Sequence, residues 1–290
     1  MIKIFTKKFH HLIIYSFFFI SCVNNNTTEI TDNTYEINSI TDEIYNPKKT
    51  GRIIEAIYLD NKIKLLEIEN NKYLFDGDIV LEREDFKLLN EKKDVNQSKK
   101  NLWPEKNIRW KFADSISSDL KEKWLVATRM WGTQLDFNFI EISEKKGDYI
   151  LIKQNYNGSA YTTSIGKKGG EQIISIDPRY YGSGNIAHEI GHSIGLFHEQ
   201  KKSDRDNFIK INYTNLKPNW VSPYEKSKTR TTTPFDYNSI MLYGSRASAS
   251  VVYDSNTPIM TKKDGSIWNL QRAYLSTGDK EQIRAMYNEE

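Results

Sequence analysis

His188-Glu189-Ile190-Gly191-His192-Ser193-Ile194-Gly195-Leu196-Phe197-His198-Glu199 is the stretch that decides how this 290-residue chain is read. Residues four apart on a helix share one face, with Cβ atoms about 5–6 Å apart, so His188 and His192 can offer two imidazoles to one cation. Glu189 stands one position on, roughly 100° around the helix, able to approach a metal's water without being a ligand itself. Gly195 is suited to end the helix, because glycine takes the left-handed conformation that turns the chain sharply. That turn allows His198, six residues beyond His192, to come back as a third ligand. Three neutral ring nitrogens with an open position for water make a catalytic zinc site, with one Zn2+ per chain, rather than a closed structural one. A bare HExxH would occur by chance in on the order of 1% of chains this long. The extended HExxHxxGxxH fixes five positions and makes coincidence negligible.

The composition agrees. His10 and His11 sit at the start of the chain, and every other histidine falls between 188 and 198. The balance of 41 Lys+Arg against 38 Asp+Glu leaves a net charge of +3. That is not the dense single-sign field of a nucleic-acid binder, so no nucleic-acid partner is expected. With 38% hydrophobic and 27% charged residues the chain reads as a folded globular protein. Its one cysteine, Cys22, excludes an intramolecular disulfide, a zinc ribbon and an iron–sulfur cluster.

Lys3, Lys7 and Lys8 form a basic segment ahead of the apolar run Leu12 to Ile20, the arrangement of an export signal. Phe19-Ile20-Ser21-Cys22 resembles a bacterial lipobox with Cys22 as acyl acceptor, although Phe19 stands where an aliphatic residue is usual. Residues 1–22 are therefore expected to be a lipoprotein signal peptide ending at an acylated Cys22. The protein would be held in the cell envelope, periplasmic or at the surface, by a lipid anchor, or else secreted. Residues 23–46 are rich in Asn, Thr, Asp and Glu and predict a flexible tether.

From about 47 to 90 apolar and polar residues alternate, predicting short strands or hairpins. The lysine-rich 91–100 follows as an exposed boundary. Leu120, Trp124, Ala127 and Met130 recur at helical spacing within 116–131, with Ser117 or Ser118 as cap. Strand-like segments follow at 137–142, 149–153 and 172–176. Mixed elements without a regular βαβ repeat give an α+β class.

The metal-site pattern is similar to that of the metzincin zinc proteases, and its continuation 198–213 resembles the astacin family specifically. Tyr237-Asn238-Ser239-Ile240-Met241-Leu242-Tyr243-Gly244 resembles that family's Met-turn and following tyrosine, with Leu242 where the family often has His. The segment 159–165 and the turn 166–170 resemble its substrate-facing edge strand. Trp103-Pro104 resembles the opening of its catalytic domain. The resemblance covers about 94–290 and implies a two-subdomain fold, with the active-site helix under a twisted mixed sheet. It implies a zinc endopeptidase acting as a monomer on a polypeptide substrate. Glu189 would be general base, then acid. Tyr243 would coordinate zinc at rest and then hydrogen-bond the oxyanion. Met241 would be a packed floor rather than a ligand. Glu199 would meet the N-terminus created by activation. The family's disulfides are missing, which costs loop stapling but no catalytic group.

Phe75-Asp76-Gly77-Asp78 reads on its own as a hairpin turn between strand residues. It also resembles the latency motif of astacin propeptides, in which the final aspartate, here Asp78, takes the open metal position. On that reading 47–93 is an inhibitory propeptide and 94–290 the catalytic domain. An activating protease would cut at Lys92-Lys93 or Lys99-Lys100. Two alternatives compete: a thermolysin-like protease, disfavoured by Gly195 and His198, and a surface lipoprotein binding module with a vestigial metal site. A binding module has no use for Glu189.

Overall fold

The computed structural model describes residues 43–91, 101–227 and 233–287. The chain divides into units 1–38 and 39–290, and these residues all belong to the second. The signal segment with Cys22, the tether as far as residue 42, and the pairs Lys92-Lys93 and Lys99-Lys100 lie outside the described residues.

The alternation over 47–90 folds into five strands: β1 (Thr50–Tyr58), β2 (Asn61–Ile68), β3 (Lys72–Phe75), β4 (Ile79–Leu81) and β5 (Lys87–Leu88). The first four pair antiparallel in sequence, and β5 returns beside β1. Ala56, Leu65, Ile79, Leu81 and Phe86 are fully buried within them, so these hairpins carry a core of their own.

Beyond residue 101 come β6 (Asn107–Phe112), helix α1 (Ser118–Leu135), β7 (Asn138–Glu141), β8 (Tyr149–Gln154), β9 (Ala160–Thr162), β10 (Glu171–Ile176) and helix α2 (Ser183–Ser193). A small ribbon of β11 (Ile209–Ile211) and β12 (Met260–Lys262) and a last helix, α3 (Thr277–Tyr287), complete the set. The predicted cap is Ser117, whose side chain accepts from the Leu120 amide, and α1 runs four residues past its expected end. Its buried face is Leu120, Trp124, Ala127, Thr128, Trp131 and Leu135. The Trp131 indole donates to the Ala187 carbonyl at 2.9 Å and fastens α1 to α2.

Ten strands form one sheet in the order β5-β1-β2-β3-β4-β9-β10-β8-β6-β7. Strands β7, β6, β8 and β10 are parallel, and β9 is antiparallel to β10. Strand β4 then joins β9 in parallel, through Ile79 and Thr162. The predicted edge strand 159–165 is thus three residues long, and its outer edge is already paired.

One apolar core lies among α1, α2, α3 and the parallel strands, and a second gathers residues of 209–260. The two agree with the expected subdomains. The second core also takes in Tyr45, Leu66, Leu74 and Val80 from the N-terminal segment. This corrects the tether boundary. Glu43 is fully buried, the Tyr45 amide donates to Gly77 O at 2.8 Å, and Ile44 O accepts from the Ala160 amide at 3.1 Å. Low hydrophobicity predicted a loose segment here. Hydrogen bonding to a sheet edge needs none.

Candidate metal centre

Helix α2 is buried from Ile186 through Ser193 and carries two of the three histidines on one face. The helix ends at Ser193, and Gly195 follows at φ +116°, a conformation most side chains avoid. From there the chain doubles back and delivers His198. Its Nε2 lies 3.2 Å from that of His188 and 3.3 Å from that of His192. All three rings are fully buried.

The fourth participant comes from upstream. Asp76 (φ +62°) and Gly77 (φ +96°) make the turn between β3 and β4, as the hairpin reading expects. The tip of that turn enters the site. Asp78 Oδ2 stands 2.9 Å from His198 Nε2, 3.3 Å from His188 Nε2 and 3.6 Å from His192 Nε2. The four ligand atoms lie within 4.8 Å of one another. One turn thus serves the hairpin and places Asp78 against the three histidines.

The donor set can be tested for a cation. His188 Nδ1 sits 2.8 Å from Ile240 O and His192 Nδ1 2.8 Å from Leu196 O. Carbonyls only accept, so each ring donates there, and in its neutral, metal-binding form keeps a lone pair on Nε2. Lone pairs and a carboxylate converging in a buried space repel one another unless a cation lies among them. Zinc–nitrogen bonds of about 2.0–2.1 Å at tetrahedral angles would separate the nitrogens by about 3.3 Å, as found. The residues fit one divalent metal ion.

Glu189 is fully buried beside the cluster, with neither carboxylate oxygen hydrogen-bonded. Burial, then the charges of Asp78 and Glu43, push its carboxyl well above the usual range. For Asp78 burial acts upward, but His198 and His192 prevail and hold the group well below its ordinary value. Burial depresses His188 to about 4. At His198 the same burial is outweighed by Asp78 and Asp76, and the ring is raised to about 9.

The Tyr243 hydroxyl donates to Asp78 Oδ2 at 2.8 Å. Met241 packs against α2: a Cβ on Gly191 would come within 2.5 Å of its sulfur, and its carbonyl accepts from the Glu199 amide. Leu242 is buried; its carbonyl accepts from Arg272 at 3.1 Å and its amide donates to Ser239 O at 3.1 Å. Glu199 pairs with Lys202 at 2.7 Å and accepts from the Asp236 amide at 2.7 Å. The cation beside Glu199 is thus Lys202, where the resemblance expects a new N-terminus. Burial raises Glu199 to about 7 against the pull of Lys202.

Several residues here carried no sequence signal. Glu43 lies 3.9 Å from His188 Nε2 and is gripped by Arg272 through two contacts of 2.7 Å. Asn185 Nδ2 donates to it at 2.6 Å. Burial would raise the Glu43 carboxyl, yet Arg272 and His188 hold it down at about 2. Asp76, the variable position of Phe75-Asp76-Gly77-Asp78, faces His198 Nδ1 at 3.2 Å and Lys201 Nζ at 2.7 Å. Arg205 pairs with Asp206, donates also to the carbonyls of Gln200 and Tyr224, and so pins the loop after His198.

The family model for the astacin peptidases matches residues 95–288. Zinc metalloproteinase nas-14 of Caenorhabditis elegans is 29% identical over 193 residues, 64% of this chain and 37% of that protein. High choriolytic enzyme 1 of Oryzias latipes is 36% identical over 158 residues, 53% of this chain and 52% of that protein. The chain thus spans between a third and about half of the length of these relatives. The solved structure of the latter, a hatching enzyme zinc-protease, aligns at a TM-score of 0.58 with 26% identity, over 68% of this chain and 98% of that one.

Proposed function

The chain belongs to the astacin family of zinc metalloproteases, and we propose that it is an endopeptidase made as a latent precursor, in which Asp78 blocks the metal position. The observation that carries this is the approach of Asp78 Oδ2 to all three histidines while it also holds the Tyr243 hydroxyl. A bound zinc would polarise the scissile carbonyl and lower the pKa of water to about 7. Glu189, buried with unsatisfied oxygens, takes the proton of the attacking water and returns it to the departing amine. Tyr243, once freed from Asp78, donates its hydroxyl proton to the developing oxyanion. The outer edge of β9 pairs with an extended polypeptide substrate. In the uncut chain that edge is taken, because the Thr162 amide donates to Asp78 O at 2.9 Å.

Two further parts of the reading rest on sequence. The basic and apolar run ending at Cys22 supports an exported, lipid-anchored protein of the cell envelope, carried on residues 23–42. The lysine pairs of 91–100 support release of the prosegment by an activating protease, leaving a monomeric catalytic domain.

The test is casein hydrolysis by the zinc-loaded full chain before and after cleavage between residues 91 and 100. Activity should rise at least tenfold on cleavage and stay absent in Glu189→Ala. A cleaved chain of equal zinc content and no greater activity would overturn the latent-precursor reading.

A further inference from the structure

Asp78 and Asp76 are two prosegment carboxylates beside the metal centre. A third, Glu43, comes from the opposite end of the segment and, 3.9 Å from His188 Nε2, is not among the four grouped ligand atoms. Its Oε1 accepts from Asn185 Nδ2 at 2.6 Å and from Arg272 Nε at 2.7 Å, and its Oε2 accepts from Arg272 Nη2 at 2.7 Å. The carboxylate is fully buried and the guanidinium 9% exposed. The cradle is rigid on its far side: a Cβ on Gly184 would fall 1.6 Å from Arg272 O, so α2 and the Arg272 backbone are in direct contact. Arg272 is fixed further by donating to Leu242 O and Gln271 O. A planar guanidinium presented edge-on with an amide beside it is built for a carboxylate.

The backbone around Glu43 lies along the same sheet edge as Asp78. Ile44 O accepts from the Ala160 amide, and two residues further Asp78 O accepts from the Thr162 amide. Asn46 extends the contact, its amide donating to Ser159 Oγ at 3.0 Å and its side chain to Gly158 O at 2.6 Å. The two pieces meet where the Tyr45 amide donates to Gly77 O.

We infer that Glu43, held by Arg272 and Asn185, makes residues 43–46 a second latch that closes the cleft independently of Asp78. This deepens the latent-precursor reading and rests on it. Displacing Asp78 from the metal leaves β9 still covered at Ala160 and the cleft still filled by Glu43. Opening the cleft requires both carboxylates to leave.

The experiment uses the zinc-loaded, uncut full chain as wild type, Glu43→Gln, Asp78→Asn and the double variant, with a quenched fluorescent peptide as substrate. Glu43→Gln keeps the shape and removes the charge, and Asp78→Asn weakens the blocking ligand. The double variant is expected to cleave at least about tenfold faster than Asp78→Asn, the loss of a charge-assisted contact. Amide hydrogen exchange gives a readout free of activity. In Glu43→Gln the Ala160 amide loses protection while Thr162 keeps it. Cleavage between 91 and 100, which frees the prosegment, should bring all four forms to one kcat/KM. The second latch is overturned if the double variant matches Asp78→Asn within twofold, or if Ala160 stays protected in Glu43→Gln. Four cleaved forms without activity would instead overturn the endopeptidase reading.

Discussion

Helix α2 contains two glycines whose replacement by alanine separates close packing from helix propensity. Either change should gain at most about 1 kcal/mol, the glycine penalty in a helix. What the new methyl meets differs. At Gly191 it would lie 2.5 Å from Met241 Sδ and 3.4 Å from Trp131 Cζ2, and a thioether can slide aside. At Gly184 it would lie 1.6 Å from Arg272 O and 2.6 Å from Arg272 C, and only a backbone shift relieves that. Overpacking costs about 1–3 kcal/mol, with backbone displacement at the upper end. Gly191→Ala should therefore change stability by about 1 kcal/mol or less, and Gly184→Ala should destabilise by about 2 kcal/mol. For a domain of this size a loss of about 2 kcal/mol is about 4–8 °C in thermal midpoint. The measurement is a far-UV circular dichroism melt of the uncut chain, in excess chelator so that metal affinity does not enter. Midpoints within about 1 °C of each other, or a Gly184→Ala variant at or above wild type, would refute the claim that α2 and the Arg272 backbone are locked together.

Glu189→Gln should lower hydrolysis by the activated form about 10²- to 10⁴-fold, the usual yield of a general base, with zinc content unchanged by atomic absorption. Asp76→Asn should weaken zinc retention by the uncut chain about 10- to 100-fold in competition with a chelator, because His198 Nδ1 faces that carboxylate. Asp279 anchors the Met-turn by accepting from Ser239 Oγ and the Ile240 amide, and burial raises its carboxyl above the ordinary 3.8. The folded chain therefore holds that proton to higher pH than the unfolded one. Its contribution to stability is full below 3.8 and declines as pH rises through the raised value. Asp279→Asn should flatten this part of the urea-midpoint profile measured from pH 3.8 upward.

The metal cluster was legible because its ligands sit within eleven residues and helical periodicity alone places two of them. Helix α1 was legible for the same reason, from the spacing of Leu120, Trp124 and Ala127. Asp78 was visible as a motif, though nothing local distinguished a solvent-facing hairpin from one inserted into a cleft. Glu43 was hidden twice over. It stands in a polar run that reads as tether, and its partner Arg272 is 229 residues away. A buried ion pair across that distance leaves no periodicity and no spacing to recognise. The join between β4 and β9 was hidden likewise, since strand pairing by backbone hydrogen bonds is indifferent to side-chain identity.

That join has a consequence for colloidal behaviour. While residues 43–91 remain, β9 is an interior strand of a ten-stranded sheet, and no neighbour can add to it. On the proposed release of that segment, a row of unsatisfied amides and carbonyls along β9 would face solvent. Such borders recruit strands from other chains as readily as from intended partners, which is the usual beginning of clumping. The shortness of Ala160–Thr162 limits that danger to a foothold of three residues.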